Sequence, residues 1–441
     1  MPFVGKFSKD MVIEMYGSFV KFVKKLRIEK MIDKTVKRVD DITYLKRVRT
    51  NSKYFTRKRK MPFKKLMFFM LGTRKSSTQT DLETFFDKAG EDIYMTQQSF
   101  SEARKKISYK AFVELFDMTV EVSYEDGCRT WNNYRVSAID GSKIALPSDE
   151  ILREEFGTYG AGKKAATAQG SVLYDVVNDV IIDAAIEPIS TDERTLAERH
   201  IDKLNEKLPG ENDLILFDRG YASFGLIKKL KDNNINFLMR VRTKFNTDID
   251  SQVDSDGSVV LRQGNEEIEV RVIKLKLSTG ETETLITDIW DDKIDVNGFG
   301  ELYFMRWPIE TKFDIVKNKL EIENFSGRTV EAIKQDFYAT MYLTNIAAAA
   351  KGSAQLDADE QRENKSNKHS YKINVNHEVG VLRNRFILAL LKEDRTERSA
   401  EVRRILRLLS KKVVPVRKNR TVERNKNPRN AKFHHNKKSN C

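Results

Sequence analysis

Between Asn133 and Arg242 the chain takes up a rhythm that few folds accommodate. YRVSAIDG, SVLYDVV and VIIDAAIEP read as three strands at short spacing, and TDERTLAERHIDKLNEKL reads as a helix that stops at Pro209 and Gly210. DLILFDRGY follows as a short apolar run of the kind found in a buried parallel strand, then the helix SFGLIKKLKDN and the strand NFLMRVR. The sequence therefore predicts three strands, a helix, a strand, a helix and a strand, an α/β unit built on one sheet.

That is the element order of an RNase H-like sheet, in which the first and fourth strands are parallel neighbours. Asp140 is expected to end the first strand and Asp218 the fourth, so their carboxylates should emerge together at one edge. Two close carboxylates repel, and each rises in pKa unless a cation joins them. Hard oxygen ligands on a rigid sheet suit Mg²⁺ or Mn²⁺, which keep open positions for water and phosphate. A third carboxylate from a nearby helix would complete a two-metal site for in-line attack at phosphorus.

Glu310 is the candidate, within YFMRWPIETKFDIVK at 303–317. Tyr303, Arg306, Glu310 and Lys317 fall within an arc of ~60° on a helix, which aims a phenol, a carboxylate and two cations the same way. Pro308 interrupts the segment and should bend the helix or mark its true first turn. Taken singly, strand-end aspartates often cap turns, and the charged stripe reads equally as a solvated face of i,i+4 pairs. Together they point to one site.

The remainder of the chain suggests a polyanionic partner. A formal charge of +14 on 441 residues attracts phosphates and releases their counterions, so nucleic acid is the leading partner and an anionic membrane the second. With 40% apolar and 10% aromatic residues there is enough for real cores. The longest apolar runs, LMFFML and NIAAAA, fall far short of a membrane span, and the N-terminus lacks a signal-peptide core. A cytoplasmic, nucleoid-associated protein is expected. Cys128 and Cys441 are too few for a disulfide framework or thiolate zinc site, and the five histidines lack metal-ligand spacing. GTYGAGK at 157–163 fits the start of a phosphate-binding loop, but Lys164 stands where Ser or Thr should be and no apolar strand runs into it. A basic loop touching a DNA backbone is the better reading.

The expected organisation follows from these shifts in pattern. Residues 1–125 form a mostly helical DNA-binding domain, in which TDLETFFDKAG and TQQSFSEARKKI resemble a helix-turn-helix reader. Residues 126–354 form the catalytic core with an antiparallel β insertion at about 243–300. A polar linker spans 355–373, C-terminal helices 374–410, and a disordered basic tail 411–441 lies along phosphates.

D-G-S at 140–142, D-R-G-Y at 218–221 and the tyrosine-arginine-glutamate-lysine spacing at 303–317 resemble the bacterial DDE transposases of the insertion-sequence-four family, which form DNA hairpins during excision. The resemblance covers most of the chain. It implies that Asp140, Asp218 and Glu310 hold two Mg²⁺ ions, for which Mn²⁺ would substitute. It implies that Tyr303, Arg306 and Lys317 grip phosphates near the strand ends, with a homodimer acting on terminal inverted repeats and target DNA. An aromatic of the insertion stacks on a flipped base in some relatives; Trp290 is placed for that role, although a hairpin-core tryptophan is the simpler reading. The implied reaction is cut-and-paste transposition by nicking, hairpin formation and strand transfer. The rivals are an RNase H-like nuclease without strand transfer and a domesticated DNA-binding protein that does not cleave.

Overall fold

The computed structural model describes residues 27–72, 76–160, 165–277, 280–363 and 369–416. Tyr109–Met341 form one compact unit, and the described residues before and after it form a second. The N-terminal 26 residues, residues 161–164 at the end of the GTYGAGK segment and the tail beyond Val416 lie outside the described residues, so the expectations placed on them carry no structural account.

The second unit begins with helices α1 (27–40), α2 (Ile42–Val48), α3 (Phe63–Leu71), α4 (Thr78–Lys88) and α5 (Gln97–Arg104). Their ends are written in the sequence. Ser77 caps α4 by accepting from the Thr80 amide, and Thr96 caps α5 by accepting from the Ser99 amide. Gly90, just past the end of α4, takes the left-handed conformation that terminates a helix (φ 71°). In α3 nearly every apolar side chain is buried, and Phe69 packs edge-to-face on Phe85 and Phe100.

The Tyr109–Met341 unit carries α6 (Lys110–Tyr124), β1 (Arg135–Ala145), α7 (Glu150–Phe156), β2 (Thr167–Asp175), β3 (Val180–Pro188), α8 (Glu193–Lys207), β4 (Asp213–Phe217), α9 (Phe224–Asp232) and β5 (Asn236–Val241). After them come α10 (Thr247–Ser251), β6 (Asp256–Gln263), β7 (Glu266–Lys276), β8 (Thr282–Thr287), α11 (Val296–Phe304), α12 (Pro308–Asn318) and the start of α13 (Val330–Glu360). The eight strands make one mixed sheet in the order β3-β2-β1-β4-β5-β8-β7-β6. β1, β4 and β5 are parallel, β3 and β2 extend one side antiparallel, and β8 adds the β6–β7 hairpin to the other. The expected strands and the helices α8 and α9 are found in the expected order, but α7 stands between the first and second strands where no helix was expected, and the β insertion widens the same sheet.

One pairing fixes the functional edge. Arg135 and Asp213 are register partners at the start of β1 and β4, and they form a two-pronged ion pair, Nε to Oδ1 at 2.7 Å and Nη2 to Oδ2 at 2.8 Å. Their side chains are 1% and 7% exposed. Continuing that register sets Asp140 opposite Asp218, each five positions on (135 to 140, 213 to 218). Asp140 does not end its strand as expected: β1 runs on to Ala145 because β2 continues to pair with it after β4 has stopped at Phe217.

The chain re-enters the other unit along α13, whose residues up to Glu360 are helical although the stretch from 355 reads as polar linker. β9 (Tyr371–Ile373), α14 (Val375–Leu391), α15 (Arg395–Ser410) and β10 (Val413–Pro415) complete it, with β9 and β10 paired antiparallel. Among the described residues no helix is long and apolar enough to cross a membrane.

Candidate active site

Asp140 is a half-buried carboxylate whose Oδ1 accepts the Gly141 amide at 2.9 Å. Burial pushes its pKa up to about 6; the Gly141 bond and Arg306 oppose the rise, and the charges of Glu193 and Glu310 add to it. Asp218 sits one residue past β4 and receives the Tyr303 hydroxyl at 3.5 Å. Burial holds the Tyr303 phenol well above its ordinary range; Arg306 opposes this and Asp218 reinforces it.

The predicted stripe divides between two helices. Tyr303 belongs to the last turn of α11, Arg306 lies in the connecting turn, and Pro308 takes the first position of α12, where its missing N–H costs nothing. Glu310 therefore stands in the first turn of α12, a favourable place for a carboxylate. Arg306 donates from Nη2 to Glu310 Oε1 at 2.8 Å and lies over the Tyr303 ring, 5.7 Å from its centre. Its Nε is buried without a hydrogen-bond partner. Arg306 is the shared neighbour, since Asp140, Asp218, Tyr303 and Glu310 all feel its charge or lend it theirs.

Lys317 is placed differently. Its ammonium donates to the Lys143 carbonyl of β1 at 2.5 Å and lies 3.9 Å from Glu323, which itself accepts the Ala145 amide at 3.1 Å. Trp290, read as a hairpin-core residue, is instead 47% exposed, because the chain has left β8 by that point. Phe304 and Trp307, which flank Arg306, are also exposed.

The structure adds residues that the sequence reading passed over. Glu193 opens α8 and accepts from Gln169 Nε2 at 3.2 Å. A side-chain carbon at position 141 would lie 2.7 Å from both Glu193 Oε1 and Gln169 Nε2, so a larger residue after Asp140 would have to displace the ends of those two side chains. Arg194 donates to the Gly220 carbonyl at 3.1 Å, which ties the same helix end to the turn after Asp218. Behind the site Ser171, His200 and Asp183 form a buried chain: His200 Nδ1 meets Asp183 at 2.7 Å and Nε2 meets Ser171 at 3.0 Å. Ser171 also donates to the Asp140 carbonyl at 3.4 Å, so this chain anchors the backbone under the catalytic candidate. The only advance signal for Glu193 was its place in the first turn of a helix directly after the third strand.

This arrangement of acids on one sheet edge is the feature to compare with known proteins. Residues 131–346 match the transposase DDE domain family. Asp140, Asp218, Tyr303, Arg306, Glu310 and Lys317 all fall within the transposase DDE domain so defined. A curated relative, "Putative transposase y4zB" of Sinorhizobium fredii (strain NBRC 101917 / NGR234), is 26% identical over 151 residues, which are 30% of this chain and 42% of the relative. The aligned region thus spans less than half the length of that relative. A solved structure with a similar trace is the piggyBac transposase synaptic complex with hairpin DNA, at 13% identity and a TM-score of 0.43, covering 88% of this chain and 85% of that one.

A DDE domain implies a divalent metal, and the donors can be tested for it. Among the described residues no three His, Cys, Asp or Glu side chains stand close enough to hold one ion together. The donor chemistry nevertheless fits a hard cation: Asp140 is a half-buried carboxylate raised by desolvation and by neighbouring acids, which is the environment that a divalent ion neutralises. Of the three candidate carboxylates, Glu310 has its Oε1 engaged by Arg306.

Proposed function

We propose that this protein is a DNA transposase of the insertion-sequence-four type, which nicks DNA at the ends of its element, turns the freed 3′-OH on the opposite strand to form a hairpin, opens it and joins the ends to target DNA. The observation that carries this reading is the register of β1 and β4, which sets Asp140 level with Asp218 inside the transposase DDE domain, with Glu310 electrostatically coupled to Asp140.

Asp140, Asp218 and Glu310 would hold Mg²⁺ in this reading. When bound, the metal supplies charge stabilisation at phosphorus and activation of a water or hydroxyl nucleophile. The remaining chemistry belongs to the chain's own residues. Arg306 offsets phosphate charge with a guanidinium that is always ionised. Tyr303 stays a neutral phenol because burial raises its pKa, so it can donate to Asp218 or to a phosphate. Lys317 has three donors and uses one on the Lys143 carbonyl, which leaves capacity for a strand end. The β2 ladder and the Ser171 hydroxyl hold the backbone at Asp140 in place.

The partners in this reading are duplex DNA carrying terminal inverted repeats and a second copy of the chain. The test is incubation of the purified protein with Mg²⁺ and DNA bearing the element's own ends, resolved on a denaturing gel. Nicks, hairpins and joined products are expected in that order. Nicks without hairpins would favour a nuclease, and binding without nicks a domesticated binder.

A further inference from the structure

The unit that lacks the carboxylates contains a cleft with a different chemistry. A cavity of about 1100 Å³ opens between the 52–61 loop, which joins α2 to α3, and the 94–106 segment that includes α5. Pockets for one drug-sized molecule run to roughly 300–1,000 Å³, so this one has room for more than a single nucleotide.

Its walls are fixed by backbone bonds. The Thr50 amide donates to the Lys106 carbonyl at 3.0 Å and the Ser108 amide to the Val48 carbonyl at 2.8 Å, around an antiparallel bridge between Arg49 and Ile107. Arg49 donates to the Tyr54 carbonyl at 3.1 Å, and Lys60 reaches across to the Tyr94 carbonyl at 3.1 Å. Phe55 is held in the left-handed region (φ 59°), a costly conformation for a bulky residue, with its ring packed edge-on against Phe63. That turn sends the following basic residues out along the rim.

The charge is one-sided. Lys53, Arg57, Arg59, Lys60 and Lys106 line the cavity, and its one carboxylate, Glu102, is already bonded to Lys105 at 2.7 Å. Lys53, Arg57 and Arg59 are exposed and have no carboxylate partner among the described residues, unlike many of the cations on the rest of the chain. Tyr94 stands on the rim, 64% exposed, and Lys106 lies over the Tyr54 ring. Unpaired cations beside exposed aromatic faces are what a nucleic-acid strand requires when its bases are free to stack. A duplex is convex and keeps its bases inside, so its phosphates and bases cannot enter a concave site of this size together.

We propose that this cleft binds an unpaired stretch of DNA, with Lys53, Arg57 and Arg59 taking its phosphates and Tyr94 stacking on a base. The proposal rests on the reading of the chain as a protein that acts on DNA, and it adds a single-strand site that is separate from the Asp140–Asp218 edge.

The test uses the full-length protein, labelled oligothymidine and a duplex of equal length, with anisotropy measured over a salt series. The double variant Arg57→Ala/Arg59→Ala should bind oligothymidine about tenfold more weakly, with a salt slope lower by about 1.4, since each lost phosphate contact removes about 0.7 for single strands. Duplex affinity should change less than twofold. Tyr94→Ala should weaken oligothymidine binding about tenfold and Tyr94→Phe should restore it, because stacking needs the ring and not the hydroxyl. Unchanged affinity in both variants would overturn the proposal, and so would equal losses on duplex and single strand. Displacement of the oligonucleotide by millimolar inorganic phosphate or thymidine monophosphate as readily as by unlabelled oligothymidine would mark a small-molecule phosphate site and overturn it too. Nicking of element-end duplex by the same preparations tests the transposase reading separately.

Discussion

The two halves of the candidate site are held by different physics. Asp140 and Asp218 are set by backbone: parallel strands fix their level, and Arg135–Asp213 locks the register five residues away. Glu310 is set by a side chain, an i,i+4 ion pair to Arg306 whose glutamate end is 42% exposed. A sheet edge cannot slide without breaking a ladder, whereas a single ion pair with one end exposed can exchange its partner without disturbing the backbone. The candidate site therefore joins two carboxylates set by the sheet to one carboxylate held through a side-chain ion pair.

The largest expected effect comes from the carboxylates themselves. Asp140→Ala, Asp218→Ala and Glu310→Ala should each lower the rate of nicking by on the order of 10³-fold or more, with DNA affinity little changed because binding rests on Lys and Arg. Nicking rates in Mg²⁺ beside binding isotherms check this. Wild-type nicking by a mutant would remove that residue from the site, and a surviving Glu310→Ala enzyme would reduce it to the sheet pair alone.

The register lock can be broken without touching an acid of the site. Arg135→Met leaves Asp213 buried and unpaired, and should cost about 3–5 kcal/mol of stability. The double variant Arg135→Met/Asp213→Leu should recover most of that loss, because an apolar pair can replace a buried ion pair. Denaturant unfolding measures both, and nicking by the refolded double variant shows whether the register survives. Equal stability of the single variant and the wild type would mean that the ion pair does not set the register.

How much of this could be read beforehand follows the same division. The strand order was legible because DLILF is apolar on both faces, as β4 proves to be, and because turn residues punctuate the rest. Pro308 marked the first turn of α12 through its own stereochemistry. The continuation of β1 past Asp140 was hidden, since GSKIA has the composition of a turn and becomes strand only through pairing with β2. Glu193 was hidden for a related reason: nothing local distinguishes it from any other helix-start acid, and its meaning comes from Gly141 and Gln169, contacts made across the sheet. Polar composition likewise concealed that α13 extends to Glu360.

The half held by the ion pair is probed through Arg306. Arg306→Ala removes the shared cation and releases Glu310, and it should slow hairpin formation and joining by roughly thirtyfold, a loss of about 2 kcal/mol, while the first nick falls less. The later steps need a particular 3′-OH held against another phosphate, whereas the first needs only water. Arg306→Lys should recover part of the loss, since it keeps the charge but not the planar guanidinium. Nick, hairpin and joined product followed in one time course give the ratio. Equal loss at every step would mean that Arg306 acts only by holding Glu310.

The smallest effect is expected at Lys317, where α12, which carries Glu310, meets β1. Its ammonium bonds the Lys143 carbonyl, three residues along β1 from Asp140, and neighbours Glu323, which in turn bonds the Ala145 amide. Lys317→Ala deletes one charge-assisted bond at a partly exposed position and should cost about 1 kcal/mol of stability. A Lys with donors to spare can also meet a strand end, so joined product should fall about fivefold, the equivalent of another ~1 kcal/mol, with nicking nearly unchanged. Melting and product ratios measured on the same sample separate the two roles. A drop in melting temperature with normal joining would make Lys317 a brace between α12 and β1 and nothing more; normal melting with lost joining would make the Lys143 bond incidental and the phosphate contact its whole purpose.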